Sequence, residues 1–534
     1  MSHSADVLVV GSGPGAVNAA ARLVEAGRRV VMLDYGNVDR HYAPLIPHKP
    51  FAEIRRTETE QHRWFLGDHF EGIPFGAVRV GAQLTPPRMH ILADAVDRIP
   101  VSADGFAVSM SLARGGLGAG WSAGVFPFAD DELAAMSLGL ADFQSHYDAV
   151  AERIGVAGDH DDLAPFFPES PSMMPALDLD KNGEVVLARY RGKREAMNAA
   201  GFFLGRPRVA ACTRRHRDRG PHAYLDLCYW ADMDRSVYRP QWTLDELLAA
   251  PNFTYAGRHF VERFEESDAG VRVRTTHVDT GAEETHDARA LVLAAGTIGS
   301  AWLVLRSLGR YDVPVPMLCN AYAYVPTFNL GMLGRAQPER RYSLGQLTAI
   351  VRRPGRIVQA QLFSYRSLLT FKLMKELPLG YRDALRLLRL LVPHFAILGI
   401  HHEDRPTRDK HCVLRRRERG GRDRLEIVYR PSDAETAQQR EDERAVLRFF
   451  RRLGCLPLRT IRPGHGASLH YAGTFPITAE PRELTCDRDG RLRGTRAVYL
   501  ADGSIFPWIP PKGLTFTLMA NADRVGAIVA EQVA

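Results

Sequence analysis

The sequence has few cysteines and no long apolar run. Its six cysteines are scattered over 534 residues and no two of them form a CxxC pair, so we expect no structural zinc site and a reducing compartment. No stretch reaches the roughly 18 consecutive apolar residues of a membrane-spanning helix. The N-terminal segment has no basic region before its apolar run and no small-residue cleavage site, so we expect no signal peptide. These absences predict a cytoplasmic protein without a transmembrane segment.

Basic charge is in modest excess and does not indicate a nucleic-acid-binding protein. Lys and Arg number 69 against 62 Asp and Glu, a formal net charge of +7. The arginine clusters at 214–219 and 415–424 contain acidic residues and lack interleaved aromatic residues that would stack on bases. The second cluster has the GG signature of a hairpin with solvated ends. We expect a small molecule, not a nucleic acid, as the partner.

A glycine-rich turn near the start of the chain lies between an apolar strand and a helix. Residues 6–10, DVLVV, form a short run that is mostly apolar and rich in valine, and after the turn apolar residues recur at helical spacing until Gly27. A second apolar run ends at Asp34, which could accept hydrogen bonds from a ribose. This order is the βαβ unit that binds dinucleotides, with about 20 residues between the glycines and the acid. The residues expected to form the turn and hold a pyrophosphate are Gly11, Gly13, Pro14, Gly15 and Ala16.

The sequence that follows this unit favours FAD over NAD. Residues 36–110 form a long extension with aromatic residues and prolines and without the repeating βα pattern of an NAD dehydrogenase. A second glycine cluster, ARGGLGAGWSAGVFPF, occupies 113–128. Two glycine loops suit FAD because a long cofactor needs contacts along its whole length. We expect Gly115, Gly116 and Gly120 to contact it.

The middle of the chain returns to the first sheet. Residues 251–281 alternate as a β-meander with turns at SDAG and DTG. Residues 290–307 then give an apolar strand, a small-residue turn and a helix. The turn contains Ala295 and Gly296, which we expect to lie against the cofactor.

The C-terminal segment supplies the last predicted cofactor contacts. It gives a strand ending at Asp502, a proline-rich loop and a long helix beginning near Leu514 or Thr515. An acid at the carboxyl edge of a strand can bind ribityl hydroxyls. The helix N-terminus, with Gly513 before it, would stabilise negative charge on a reduced flavin.

These segments, in this order, resemble the glucose-methanol-choline (GMC) oxidoreductases, FAD enzymes that oxidise alcohols and sugars. The motifs that carry the resemblance are GSGPGA with Asp34, GGLGAGW, LVLAAGTIGSAWLVLRS, LHYAGTF and LADGSIFP with the helix after it. They leave 311–460 as a variable substrate lobe. In that family a histidine at the flavin N5 edge acts as the base for the substrate hydroxyl, which implies His470 in LHYAGTF.

Imidazole chemistry agrees with that implied role. A hydride leaves the carbinol carbon only as its hydroxyl loses a proton, and an imidazole with a pKa near 6.5 accepts protons at neutral pH. A histidine in an apolar run is more often a buried structural residue, but the surrounding motif favours a base. His465, in PGHGAS, is the weaker candidate.

The chain departs from the family pattern at two positions. Many members carry a second histidine or asparagine where this chain has Gly513, so Lys512 beside it is either a second catalytic residue or a surface lysine. Members that attach FAD covalently use a histidine where this chain has Gly120. The resemblance therefore implies non-covalent FAD.

The resulting prediction is an α/β protein with a discontinuous Rossmann-type FAD-binding domain and an α+β substrate domain built on an antiparallel sheet. The FAD domain takes 1–130, 205–310 and 461–534, and the substrate domain takes 131–204 and 311–460. The predicted reaction is oxidation of an alcohol group on a sugar, aminocyclitol or glycosylated metabolite by hydride transfer to flavin N5.

Two other activities stay open. One is a flavin monooxygenase or halogenase, because FPWIPP at 506–511 partly matches a halogenase loop. The other is oxidation of a lipid-linked or sterol alcohol, because the basic, apolar segment 364–402 leaves peripheral membrane contact open. HHED at 401–404 is weak as a metal site.

Overall fold

The computed structural model describes residues 5–72, 85–224, 232, 234–335, 342–364, 377–416 and 421–534. Cys228 and the turn at 417–420 of the predicted GG hairpin lie outside these residues. The described cysteines are unpaired and buried. Within the described part of the chain, no helix is long and apolar enough to cross a membrane.

The described part of the chain contains both strands and helices. The strands are β1 (Ala5–Val10), β2 (Val30–Leu33), β3 (Val101–Asp104), β4 (Ala157–Gly158), β5 (Met174–Pro175), β6 (Phe202–Gly205), β7 (Phe253–Ala256), β8 (His259–Ser267), β9 (Gly270–His277), β10 (Glu283–Leu293), β11 (Pro314–Pro316), β12 (Leu318–Cys319), β13 (Tyr322–Asn329), β14 (Leu347–Arg353), β15 (Arg356–Ser364), β16 (Phe395–His401), β17 (Lys410–Arg415), β18 (Arg424–Tyr429), β19 (Cys455–Pro457), β20 (Tyr471–Ala472) and β21 (Val498–Leu500). The α-helices are α1 (Pro14–Glu25), α2 (Phe51–Thr57), α3 (His62–Leu66), α4 (Pro86–Met89), α5 (Ala95–Arg98), α6 (Asp130–Leu133), α7 (Leu140–Ile154), α8 (Lys181–Arg191), α9 (Arg194–Ala199), α10 (Pro240–Leu247), α11 (Thr297–Ser307), α12 (Tyr381–Leu391), α13 (Asp433–Arg452) and α14 (Thr515–Gln532).

The largest sheet joins the two ends of the chain to its middle. Its parallel part has the order β7, β2, β1, β10, and β21 pairs with the last residues of β10. The first residues of β10 pair antiparallel with β9, which continues to β8 as the predicted meander. β1 is almost wholly buried, as expected for a strand with both faces covered. The C-terminal segment is thus brought beside the N-terminal βαβ unit.

Two helices from opposite ends of the chain cover one face of this sheet. α1 packs against α14, and a Cβ on Gly526 would lie 2.7 Å from the carbonyl oxygen of Ala19. Only a glycine in α14 allows that approach. A Cβ on Gly15, in the first turn of α1, would clash with the carbonyl oxygen of Ala501. The glycines therefore fix how closely α1 and α14 lie to each other and to the sheet.

A second sheet is antiparallel and has the order β19, β13, β16, β15, β14, β6. One face is a buried apolar core with α8 and α13, where Phe202 and Phe449 stack at 4.7 Å between ring centroids. The other face carries partly accessible side chains of β13 and β16. A smaller sheet, β11, β17, β18, β3, contains the predicted hairpin pairing of β17 with β18. The mixed α/β class is confirmed, and the domain boundaries stay a prediction.

Candidate active site

One large cavity lies between the parallel and antiparallel sheets. Its volume is about 1330 Å³, above the roughly 300–1,000 Å³ of a pocket for a drug-sized ligand. Its lining includes residues at the carboxyl ends of β1, β2 and β10 and side chains from β13, β15 and β16. The carboxyl edge of parallel strands is where α/β sheets bind ligands. The cavity has room for a long cofactor and a substrate together.

The first glycine turn forms one end of the cavity. Gly11 has a φ of +97°, and a Cβ there would lie 2.7 Å from the carbonyl oxygen of Ala294. Gly13 precedes Pro14, the first residue of α1, and a Cβ on Gly13 would meet no atom within 4 Å. The space beside Gly13 is therefore cavity, and it adjoins a helix N-terminus that favours a phosphate.

The second glycine loop touches the first. The Gly115 amide donates to Ser12 Oγ at 2.9 Å, and a Cβ on Gly116 would lie 3.3 Å from the Cα of Gly13. Ser12 Oγ in turn donates to Asp34 Oδ2 at 2.5 Å. Ser12, which the motif places between two glycines, thus links both loops to the acid.

Asp34 is buried at the end of β2. It accepts hydrogen bonds from Ser12 and, at 2.8 Å, from the Tyr255 hydroxyl. Burial raises the pKa of Asp34 to about 6, although these hydrogen bonds and nearby Arg114 oppose the rise. Tyr255 gave no signal in the sequence, because its role depends on β7 pairing with β2.

Most of the residues assigned to the cofactor from the sequence line this cavity. They are Gly11, Gly13, Pro14, Gly15, Asp34, Gly116, Gly120, Ala295, Gly296, Asp502, Gly513, Leu514 and Thr515. Ala16 and Gly115 do not line it. Ala16 is fully buried in the apolar cluster beneath the turn, and Gly115 faces the Gln241 side chain. Both residues therefore support the loops on the side away from the cavity.

Asp502 and Gly296 border the middle of the cavity. Asp502 accepts from Ser300 Oγ at 2.6 Å and from the Ser504 amide at 2.9 Å, and burial raises the pKa of its carboxyl. A Cβ on Gly296 would meet nothing within 4 Å. The end of α14 at Thr515 lines the same cavity, as the sequence predicts for a helix N-terminus facing the cofactor.

His470 lies at the far end of the cavity, deep in the protein but with part of its ring accessible from the cavity. Burial lowers its pKa to about 4, so the ring is neutral at pH 7. The preceding Leu469 has a φ of +63°, a conformation that costs a non-glycine residue on the order of 1 kcal/mol or more. The strained backbone at Leu469 adjoins a residue that faces the cavity.

A second histidine, His401, lies beside His470 and also lines the cavity. Their rings are nearly parallel, with centroids 5.7 Å apart. Burial lowers the pKa of His401 well below its usual value, with smaller contributions from His470 and His402. The sequence had offered His401 only as part of a weak metal motif. In the structure the next residue, His402, points away towards Glu443, 3.6 Å distant.

Asn320 bridges the two imidazoles. Its Oδ1 lies 3.2 Å from His470 Nδ1 and its Nδ2 lies 3.4 Å from His401 Nδ1. An amide oxygen only accepts and an amide nitrogen only donates. With the amide assigned in this orientation, His470 carries its proton on Nδ1 and His401 carries its proton on Nε2. No sequence pattern identified Asn320.

Lys512 does not line the cavity, so a catalytic contact for it is not supported. Its ammonium is buried and donates to Glu132 Oε2 at 2.6 Å and to the carbonyl oxygen of Phe166 at 3.1 Å. His465 is also outside the cavity lining, with its ring 4.9 Å from that of Tyr429. Lys512 satisfies a buried carboxylate because the loop before α14 turns its side chain away from Gly513.

Comparison with known proteins gives a family match and a similar solved structure. Residues 414–522, which include His470 and Asp502, match the family model described as GMC oxidoreductase. The match supports the predicted GMC family over this C-terminal segment. The crystal structure of pyridoxine 4-oxidase from Mesorbium loti is similar over 98% of both chains, with a TM-score of 0.57 and 15% sequence identity, which shows the same fold. No curated protein sequence matches the chain.

The family match and the shared fold support the predicted family and the oxidoreductase class. GMC oxidoreductases generally bind FAD and oxidise alcohols. The match therefore gives no support to the monooxygenase or halogenase alternative. In FPWIPP, the Trp508 indole nitrogen donates to the Glu132 carbonyl oxygen at 3.2 Å, beside the buried Lys512 ion pair.

Proposed function

We propose that the chain binds FAD non-covalently along the cavity and oxidises an alcohol group of a small molecule at the end that holds His470 and His401. The observation that carries the proposal is the single cavity joining the glycine turn of the βαβ unit to this histidine pair. When bound, FAD supplies an acceptor for the hydride that leaves the carbinol carbon.

The residues present fit such a cofactor. The open spaces at Gly13 and Gly296 admit close backbone approach. The N-terminus of α1 favours a pyrophosphate, and Asp34 can accept from ribose hydroxyls. Asp502 can accept from ribityl hydroxyls, and the N-terminus of α14 favours negative charge. Gly120 has no side chain that could form a covalent tether.

His470 is the proposed base for the substrate hydroxyl. Its neutral ring donates from Nδ1 to Asn320, which leaves the Nε2 lone pair to accept a proton. Its low pKa keeps that lone pair available across the neutral range. Asn320 is a positioning residue, since it acts through the two rings.

His401 is the proposed partner of His470. Its Nε2 proton can be donated to the substrate oxygen while His470 Nε2 accepts the hydroxyl proton, so one amide gives the two rings complementary roles. In this proposal His401 takes the role of the second catalytic residue, which this chain lacks because Gly513 occupies its usual position. The partner comes from the antiparallel sheet, not from the loop before α14.

A sugar, aminocyclitol or glycosylated substrate stays a prediction, as does a lipid-linked or sterol alcohol. Pyridoxine, the substrate named for the similar solved structure, belongs in the same set of trial alcohols. Cytoplasmic location and peripheral membrane contact through segment 364–402, of which 365–376 lie outside the described residues, also remain predictions.

The proposal is tested by anaerobic reduction of the purified flavoprotein with this panel of alcohols. At least one alcohol should bleach the flavin, and Asn320→Leu should slow bleaching while flavin content is unchanged. Asn329→Leu, a buried asparagine of β13 that bonds Asn182 instead of a catalytic ring, is the matched control for a general loss of stability. A bleaching rate that is unchanged in Asn320→Leu would remove Asn320 from the mechanism.

A further inference from the structure

We propose that the substrate is an aromatic alcohol whose ring carries one hydrogen-bonding substituent and lies against the cavity face of the antiparallel sheet. This inference rests on the proposed function and specifies its substrate class. It follows from which side chains the strand register places on that face.

Three rows of paired residues form the face. Tyr322 pairs with His401 in the first row, and Tyr324 pairs with Gly399 in the second. Residues directly opposite each other in a sheet project to the same side. The second row continues from Gly399 to Gln361 on β15.

The third row is entirely apolar. Pro326 pairs with Ile397, which pairs with Phe363. All three line the cavity together with Tyr322, Tyr324 and Gln361. The rows farther from His401 thus present aromatic and aliphatic groups with a single amide among them.

The first two rows are packed edge to face around the catalytic ring. The centroid of the Tyr322 ring lies 4.3 Å from that of Tyr324 and 4.5 Å from that of His401, and both contacts are T-shaped. A Cβ on Gly399 would clash with the Tyr322 hydroxyl, so glycine at this position allows the tyrosine to lie across the sheet. A flat ring is the ligand shape that such a wall favours.

Gln361 is the polar residue placed to form a hydrogen bond with a substituent on that ring. The residue is 6% exposed and lines the cavity. Among the described residues it has no side-chain hydrogen-bond partner. It is a diagonal neighbour of His401 across β15 and β16, about 7–8 Å away between Cα atoms, a span that one six-membered ring can bridge.

A sugar fits this face less well. Each sugar hydroxyl placed against the third row would lose its hydrogen bonds to water without a partner, at a cost of about 1–3 kcal/mol each in protein data. Besides His401, Gln361 and the hydroxyls of Tyr322 and Tyr324, the polar side chains among the described substrate-lobe residues that line the cavity are Ser343, Ser364 and Arg389. An aromatic ring loses no hydrogen bond there.

The test measures binding and turnover separately on the flavoprotein. Benzamide and cyclohexanecarboxamide share one polar group, are not alcohols and differ in ring flatness, so their binding is followed by calorimetry. Benzamide should bind more tightly. Tyr324→Leu and Phe363→Leu should each weaken benzamide binding about three- to tenfold, and Gln361→Met should weaken both ligands. The control is Tyr381→Leu, at a tyrosine of α12 that is 73% exposed. This variant should leave the binding of both amides unchanged.

Turnover is then compared for 4-hydroxybenzyl alcohol, cyclohexylmethanol and glucose by anaerobic flavin reduction. The aromatic alcohol should have the lowest KM, raised in Tyr324→Leu. Faster reduction by glucose with a KM that Tyr324→Leu does not change would overturn the substrate class while the proposed function stands. Benzamide binding that depends on Tyr324 and Phe363, without reduction by any alcohol, would keep the subsite and refute the alcohol oxidation. Equal binding of both amides would overturn the inference.

Discussion

Lowering the pH from about 6.5 to 4 should destabilise the folded protein, and replacing His470 with glutamine should remove much of that loss. Burial holds the pKa of His470 at about 4 in the folded protein, whereas an exposed histidine has a pKa near 6.5. Between these values the unfolded chain binds a proton that the folded protein refuses. Stability therefore falls as the pH falls through this window and levels off below it.

The size of the effect follows from the shift. A difference of about 2.5 pKa units, at 1.36 kcal/mol per unit, is about 3 kcal/mol at pH 4 or below. His401 contributes in the same direction, because burial and the neighbouring imidazoles lower its pKa as well. His470→Gln should remove about 3 kcal/mol of the acid destabilisation and leave the part due to His401.

The assay is urea unfolding of wild type and His470→Gln at several pH values from 4 to 7.5, with flavin content matched. His41→Gln, at a histidine whose side chain is 62% exposed, is the control. The catalytic role of His470 is measured separately, as the rate of flavin reduction in anaerobic stopped-flow experiments. His470→Ala should slow reduction roughly 10²- to 10⁴-fold, and His470→Asn should recover little because an amide cannot take the proton.

Two results would refute this reasoning. Equal pH dependence of stability in wild type and His470→Gln would mean that the ring is protonated in the folded protein. In turnover, the wild-type rate should fall only near pH 4, below the ordinary histidine range. An unchanged reduction rate in His470→Ala would place the base elsewhere, with His401 the next candidate.

Three further predictions concern the ion pair, the glycine turn and the cofactor. Lys512→Met should lower the free energy of unfolding by about 3–5 kcal/mol, because Glu132 is left buried without its partner. In denaturant titrations, the double variant Lys512→Met with Glu132→Leu should recover most of this loss. A stable Lys512→Met variant with reduced turnover would instead indicate a catalytic role for Lys512. Gly13→Leu should fold, because a Cβ at this position meets no atom within 4 Å, but it should lose flavin. The ratio of flavin to protein absorbance measures this loss, and full flavin content would contradict the assigned pyrophosphate site. Acid precipitation should release FAD into the supernatant, because Gly120 offers no tethering atom, and a yellow pellet would speak against non-covalent binding.

The sequence alone determined the parts of the site that are local in the chain. The turn from Gly11 to Ala16 is encoded by neighbouring residues, because glycine conformation, the N-terminus of α1 and the flanking strands lie within about 30 positions. The same holds for the LHYAGTF motif with His470 and for the glycine at 120. Short-range patterns of this kind give strands, turns and helix ends directly.

Only the tertiary structure decided which side chains meet. His401, Asn320 and His470 lie on separate segments and converge because β13 pairs with β16 and β12 pairs with β20. A shift of one residue in either register would turn these side chains to the opposite face of the sheet. Lys512 is the converse case, since its place beside Gly513 suggested the cavity while a buried carboxylate on α6 holds its ammonium elsewhere. Side-chain partners across distant strands depend on register and packing, which no local pattern specifies.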